Sequence, residues 1–166
     1  IEEWAIRDFT KIGAFCRRFE AFQDVPFSLD FTFQYLDQIF PNSKFILTIR
    51  SSADEWLESY KRFTKKILGG DKSITRENLE QIDYNYRGFF LRSLDLIYGE
   101  CTDPFQDDVY KQNYLYHNYS IQSYFQNRTD KLLTINLADK DSSRKLCSFL
   151  NIKYDQNIPH LNISQS

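Results

Sequence analysis

Arg50 stands between two sequence patterns, an apolar run typical of a strand and the start of a helix. The strand is predicted at Phe45–Ile49. Ser52 and Glu55 form the S-x-x-E capping box, so a helix should begin directly after Ser52. The N-terminus of a helix attracts anions through its free N–H groups and its dipole, and arginine adds a planar fork of donors. This spacing predicts an anion site, most simply a site for a phosphate.

Hydroxyl groups near Arg50 could complete the anion site. Ser59 lies one to two turns into the predicted helix, and Ser51 and Ser52 are alternatives that directly follow the strand. In open α/β sheets, ligands bind beyond the carboxyl ends of the strands, which is where Arg50 is expected. The predicted site therefore has both the composition and the position of a ligand site.

The segment from Arg50 to Ser59, with Trp56 between them, resembles the 3′-phosphate motif of PAPS-dependent sulfotransferases, where PAPS is 3′-phosphoadenosine 5′-phosphosulfate. The family often has seven residues between this Arg and Ser, and here there are eight. The resemblance to the bacterial-type branch extends along nearly the whole chain in the right order, through Asp24–Phe27, Leu36–Asp37, Phe40–Arg50, His117–Asn118, Tyr124–Phe125, Lys131–Asn136 and Pro159–Asn162.

The resemblance implies roles for particular residues. Arg50, with Ser59 or Ser52, would hold the 3′-phosphate of PAPS, and His160 belongs to a loop that in the family returns toward the cofactor. PAPS would donate the sulfuryl group without a metal ion. The hydroxyl group of a small molecule or carbohydrate would accept it.

The base that takes the proton of the acceptor is open between Asp24 and His117. Cytosolic sulfotransferases have a His followed shortly by a Pro in this place, and an Asp-Val-Pro run starts here at Asp24. Asp24 would end a short strand at residues 19–24, at the same sheet edge as Arg50. The alternative is an Asp in a turn before Pro26. His117 lies on an apolar helix face, where a core histidine is common, but its His-Asn pair matches the family.

Strands and helices must alternate to bring these residues together. Strands are predicted at 19–24, 44–50 and 132–137, and helices at 3–18, 31–40 with Asp30 as cap, 53–68, 75–99, 103–126 and from Asp141 or Ser142 onward. This pattern predicts one α/β domain over residues 1–166, with a parallel sheet flanked by helices. The resemblance implies a P-loop NTPase-like sulfotransferase fold.

The chain contains no Gly-rich loop that follows a strand and opens a helix. In sulfotransferases such a loop, after the first strand, holds the 5′-phosphosulfate. The first strand and this loop are therefore expected to lie upstream of Ile1, and the 166 residues alone are expected to be inactive.

Composition argues against several other classes of protein. The net charge of −2 disfavours a nucleic-acid-binding surface, and no apolar run approaches the ~20 residues of a membrane span. Two distant histidines and no Cys-x-x-Cys disfavour a metal site. Three widely spaced cysteines fit reduced thiols better than a disulfide framework, which predicts a cytoplasmic protein.

Two other functions fit parts of the pattern. A P-loop kinase-like or other nucleotide-binding protein would share the order of elements, and it predicts a G-x-x-x-x-G-K-[ST] motif upstream and dependence on Mg²⁺. A truncated, non-catalytic interaction module would keep the fold without affinity for PAPS. The sequence upstream of Ile1 would distinguish these functions most directly.

Overall fold

Two parallel strands form the sheet of this protein, whose computed structural model describes residues 1–70, 72–101 and 103–153. Strand β1, Phe45–Ile49, pairs with β2, Leu132–Asn136, so that Phe45 lies opposite Leu132 and Ile49 opposite Asn136. Because the strands are parallel and in register, their C-terminal ends lie side by side at one edge of the sheet. The predicted strands at 44–50 and 132–137 are confirmed.

Helices account for the rest of the regular structure in the described ranges. They are α1 (Glu2–Ala5), α2 (Thr10–Cys16), α3 (Thr32–Ile39), α4 (Ala53–Ile67), α5 (Arg76–Glu80), α6 (Phe89–Tyr98), α7 (Asp107–Tyr124) and α8 (Ser142–Leu150). The chain connects β1 to β2 through α4 to α7. The predicted α/β class, a parallel sheet flanked by helices, is confirmed.

Helix α7 joins the two hydrophobic clusters of the core. Near its N-terminus, Tyr110 packs in a cluster formed by α4, α5 and α6. Near its C-terminus, Ile121 packs with Phe33 of α3 and Leu47 of β1. Burial of large apolar side chains at both ends holds α7 against the sheet and the helical layer together. Side chains in the middle of α7 are thereby placed beside the C-terminal end of β1.

The sheet is covered unevenly. Leu47 is 7% exposed beneath α3 and α7, whereas Ile46, on the opposite face of β1, is 43% exposed. On the same face of the sheet as Ile46, Ile135 of β2 is only 3% exposed, and α8 packs against that strand. The Ile and Leu content of β1 suggests burial on both faces, yet only one face is covered, because α8 packs against β2 and leaves the other side of β1 open.

The predicted strand at 19–24 is also wrong. The segment is irregular, with bends, and aromatic rings in and beside it pack on one another. The ring centroids of Phe22 and Phe27 are 4.7 Å apart, and those of Phe15 and Phe19 are 4.9 Å apart. This local aromatic cluster takes the place of pairing with β1. The predicted helix at 3–18 is likewise two helices, interrupted near Arg7, whose φ is +62°.

The predicted helix at 75–99 is interrupted as well, between α5 and α6. Asp83 and Arg87 form an isolated antiparallel bridge, and Gly88 has a φ of +83°. A left-handed residue ends a regular helix, and glycine adopts that conformation without steric cost. Helix α7 begins at Asp107 instead of at residue 103. The turn before it is held by Tyr110 of α7, whose hydroxyl donates a hydrogen bond to the Pro104 carbonyl at 2.8 Å.

Asp37 anchors α3 to the end of α7 and the start of β2. Its side chain is 5% exposed; Lys131 Nζ lies 2.6 Å from Oδ1, while Oδ2 accepts hydrogen bonds from Arg128 and, at 3.0 Å, from Tyr124. Burial alone would raise the pKa of Asp37, but these donors outweigh it and lower the pKa. The Asp37 carboxylate therefore has a structural role, linking α3 to the end of α7 and the start of β2.

Candidate functional site

The start of α4 has the capping geometry that the sequence predicts. Ser52 is the N-cap, and its Oγ accepts a hydrogen bond from the Glu55 N–H at 3.0 Å. The Glu55 carboxylate reaches back to the N–H of Ser51 at 3.2 Å, one residue before the usual partner in a capping box. Helix α4 therefore begins at Ala53, and its positive end faces the C-terminal end of β1.

Arg50 lies at this junction with its guanidinium close to Glu55. Arg50 Nη1 is 3.7 Å from Glu55 Oε1, and both side chains are nearly half exposed, at 47% and 43%. An exposed ion pair of this length contributes about 0–1 kcal/mol. The Glu55 carboxylate therefore partly neutralises the Arg50 guanidinium and ties it down only weakly.

Three serines are candidates to act with Arg50, and each lies in a different setting. Ser52 Oγ serves the helix cap, and Ser51 Oγ accepts a hydrogen bond from Asn136 Nδ2 at 3.1 Å. Ser59 is partly buried one turn beyond Glu55, and no contact joins it to Arg50 within the described part of the chain. Ser51 and Ser52 are thus nearer in sequence and structure to the end of β1 than Ser59 is.

Asn136 is a site residue that the motif reasoning did not identify. It ends β2 directly beside Ile49, the last residue of β1, and its amide bonds to Ser51. The rule that ligands bind at carboxyl ends of parallel strands, applied to the predicted strand 132–137, would have pointed to it.

Tyr114 connects the end of β1 to α7. The backbone N–H of Arg50 donates to the Tyr114 hydroxyl at 2.8 Å. The Tyr114 ring stacks on Trp56 of α4, with 4.7 Å between ring centroids and 16° between planes. His117 follows Tyr114 by three residues on the same helix, a spacing that places Cβ atoms about 5–6 Å apart on one face. The structure therefore brings Arg50 and His117 into the same region.

His117 has an acidic partner that is distant in sequence. Its Nδ1 lies 2.5 Å from Asp30 Oδ1, across 87 positions of the chain. The two side chains are 21% and 23% exposed. Among the residues described, none forms a hydrogen bond with His117 Nε2. Asp30 does not cap α3 as predicted, because Phe31, with a φ of +67°, occupies the N-cap position.

A cleft of about 1040 Å³ runs along this region. Its lining includes residues from α1, β1, α4, α6, α7 and the turn before α3, among them Asp30, Thr48, Trp56, Tyr98, Tyr114 and His117. The volume lies at the upper end of the range of about 300–1,000 Å³ that is usual for ligand pockets. Burial raises the pKa of Tyr60 and Tyr98, which both line the cleft, so these phenols stay protonated near neutral pH.

Asp24 is exposed and is not part of the cleft lining, although Val25 is. Its φ is +60°, and its carbonyl accepts a hydrogen bond from the Ser28 N–H at 2.8 Å, as in a turn. The predicted position of Asp24 at the end of a strand is therefore wrong, since no strand precedes it. Its role as a base stays a prediction without that geometric support. His160 lies outside the described residues.

Two features are absent from the described ranges. No three His, Cys, Asp or Glu side chains there come together in a group that could hold a metal ion. None of the helices in those ranges combines the length and the apolar character needed to cross a membrane.

Comparison with known proteins identifies the family. No curated protein matches the chain. The family model for the sulfotransferase domain matches residues 5–166, which is nearly the entire chain. This match agrees with an arginine at the end of a parallel strand, a capped helix after it and a cleft beside both. The chain belongs to the sulfotransferase domain family.

Proposed function

We propose that the protein transfers a sulfuryl group from PAPS to the hydroxyl group of a small molecule or carbohydrate. Membership of the sulfotransferase family gives the reaction class. The observation that supports the finer proposal is the junction at Arg50, where a guanidinium lies at the start of α4 and the backbone N–H of Arg50 bonds to Tyr114, which lines the cleft. The remaining expectations from the sequence, transfer without a metal ion and a cytoplasmic location, belong to this proposal.

The donor groups at the junction fit a phosphate. Arg50 presents a half-exposed guanidinium, the first turn of α4 presents backbone N–H groups, Ser52 carries a hydroxyl at the N-cap, and Ser59 carries one further along the helix. Charge-assisted bonds from such groups are the usual way to hold a phosphate. These residues would hold the 3′-phosphate of PAPS, and we propose that His160 adds to the same site. When bound, PAPS supplies the sulfuryl group.

His117 would supply general base catalysis. Imidazole is the side chain most often used to accept a proton near neutral pH. His117 lines the cleft, its Nε2 has no hydrogen bond within the described structure, and its Nδ1 is already engaged by Asp30. Nε2 would therefore accept the proton of the acceptor hydroxyl. Tyr60 and Tyr98 cannot take this role, because burial raises the pKa of both phenols and keeps them protonated near neutral pH.

The test of this proposal is a transfer assay. The natural protein containing this chain would be incubated with sulfur-35-labelled PAPS and a panel of phenols, alcohols and saccharides, with and without a chelator. We expect labelled product from at least one class of acceptor, and no effect of the chelator. An interaction module would show neither transfer nor affinity for 3′,5′-ADP, the nucleotide that remains when PAPS has lost its sulfuryl group. A kinase-like protein would instead bind ATP in the presence of Mg²⁺. Either result would overturn the proposal.

Glu55 provides a second, smaller test. Its carboxylate lies beside Arg50 and would repel a phosphate there. We expect Glu55→Gln to strengthen binding of 3′,5′-ADP by about 2- to 5-fold, because an exposed ion pair is worth about 0–1 kcal/mol. The amide oxygen of the glutamine can still accept the hydrogen bond from the Ser51 N–H. Isothermal titration calorimetry measures the change.

Glu58→Gln is the matched control, because it removes the same charge from an exposed residue of the same helix. An equal gain from both variants would show a general effect of charge on α4. No gain from Glu55→Gln would place the phosphate elsewhere.

A further inference from the structure

We infer that Asp30 is a positioning residue for His117, holding the imidazole in the Nδ1–H tautomer so that Nε2 faces the cleft as the acceptor of a proton. The catalytic use of this arrangement rests on the proposed function. The tautomer itself does not, and it can be measured without any substrate.

The contact between the two side chains determines where the proton lies. A carboxylate oxygen only accepts hydrogen bonds, so His117 Nδ1, 2.5 Å from Asp30 Oδ1, must carry the hydrogen. In a neutral imidazole the other nitrogen, Nε2, then holds the free lone pair. With about four-fifths of each side chain covered, water competes weakly for this bond.

Asp30 is itself held firmly. Its backbone carbonyl accepts a hydrogen bond from Trp4 Nε1 at 2.7 Å, and Trp4 is 5% exposed. Two residues later, the hydroxyl of fully buried Thr32 donates to the Pro26 carbonyl at 2.9 Å. The turn between residues 26 and 32 therefore places the carboxylate on a braced backbone.

His117 is held from the other side. Tyr114, one turn earlier on α7, is fixed by its bond to the Arg50 N–H and by its stack on Trp56. Rigid placement of both partners is what a base needs to meet a substrate in a defined orientation. The same contact could serve only to join the turn to α7, so the experiment must separate orientation of the ring from stability.

Nitrogen-15 NMR of the imidazoles makes this separation. The chain has two histidines, so a variant His160→Gln assigns the His117 signals directly. At a pH where the ring is neutral, we expect Nδ1 to be protonated and Nε2 unprotonated. In Asp30→Asn the amide can also donate to Nδ1, so the Nε2–H form should increase. A neutral wild-type ring with the proton on Nε2 would overturn the inference.

Kinetics on the natural protein provides the second readout. We expect Asp30→Asn to lower kcat by at least about tenfold with the affinity for 3′,5′-ADP unchanged, and Asp30→Glu, which restores a carboxylate, to recover part of the loss. Asp130→Asn, an exposed Asp in the turn before β2, is the control.

The outcomes separate the two levels of the proposal. If the wild-type protein has the Nδ1–H tautomer but transfers no sulfuryl group, only the proposed function fails. If it transfers the group and Asp30→Asn has the wild-type kcat and tautomer, the positioning role is wrong. Should Asp30→Asn fail to fold, the wild-type tautomer and Asp30→Glu still decide.

Discussion

His117→Gln should lower the kcat of sulfuryl transfer by about 10²–10⁴-fold, the usual effect of removing a general base. Glutamine keeps a polar side chain of similar reach, but its amide cannot take a proton at neutral pH. The proposed cofactor site at Arg50 contacts Tyr114, one turn before His117 on α7, and does not include His117, so the affinity for 3′,5′-ADP should stay the same. Steady-state kinetics and calorimetry on the same preparations measure both quantities.

Two companion variants make this result decisive. Gln122→Ala changes an exposed residue of α7 and should leave kcat unchanged. Asp24→Asn tests the other candidate base, which the structure places in an exposed turn. A steep loss in Asp24→Asn with an active His117→Gln would assign the base to Asp24 and contradict the geometry described above. Loss of 3′,5′-ADP binding together with kcat would instead indicate a structural role for His117.

Elements defined by nearby residues could be predicted from the sequence. The strand at Phe45–Ile49 and the helix at Ala53–Ile67 depend on an apolar run, a capping box and the glycine at 69, all within one segment. The second strand and α8 follow the same logic. In these segments hydrophobic pattern, capping and turn chemistry agree, so the local sequence determines the local structure.

Elements that depend on distant contacts were predicted less well. Residues 19–24 have the composition of a strand, yet Phe19 and Phe22 pack with Phe15 and Phe27 instead of pairing with β1. The stretch 75–99 has an apolar stripe throughout, but Gly88 adopts a left-handed conformation that divides it. An amphipathic pattern does not show where a chain turns to cover a core, because that depends on tertiary packing.

The candidate site shows the same division. Arg50 and Ser52 could be found because a strand end and a helix cap adjoin in sequence. The partnership of Asp30 with His117 spans 87 positions and has no local signal, and the sequence favours a capping role for Asp30. The bond from Arg50 to Tyr114 likewise depends on how α7 crosses the end of β1. Arg50 and His117 could be identified from the sequence one by one, whereas the fold determines which residues, among them Tyr114 and Asp30, meet them.

Arg50→Ala should weaken binding of 3′,5′-ADP by on the order of 2 kcal/mol, about 30-fold in Kd, because it removes a charge-assisted and bidentate donor. The backbone N–H of Arg50 still bonds to Tyr114, so the end of β1 should keep its position. Arg50→Lys keeps the charge but not the fork of donors, and an intermediate affinity is expected. Calorimetry with 3′,5′-ADP, with circular dichroism to confirm folding, measures these effects.

The removal of Arg50 also leaves Glu55 without its cation, and that carboxylate could by itself repel the ligand. The double variant Arg50→Ala with Glu55→Gln separates the two causes. If Arg50 binds the phosphate directly, the double variant should stay close to Arg50→Ala, with only the small gain expected from losing Glu55. If repulsion by Glu55 accounts for the loss, the double variant should return to wild-type affinity, and Arg50 would then act as a neutralising partner of Glu55 and not as a ligand. Arg62→Ala, which removes an exposed arginine of the same helix, controls for net charge and should bind like the wild type.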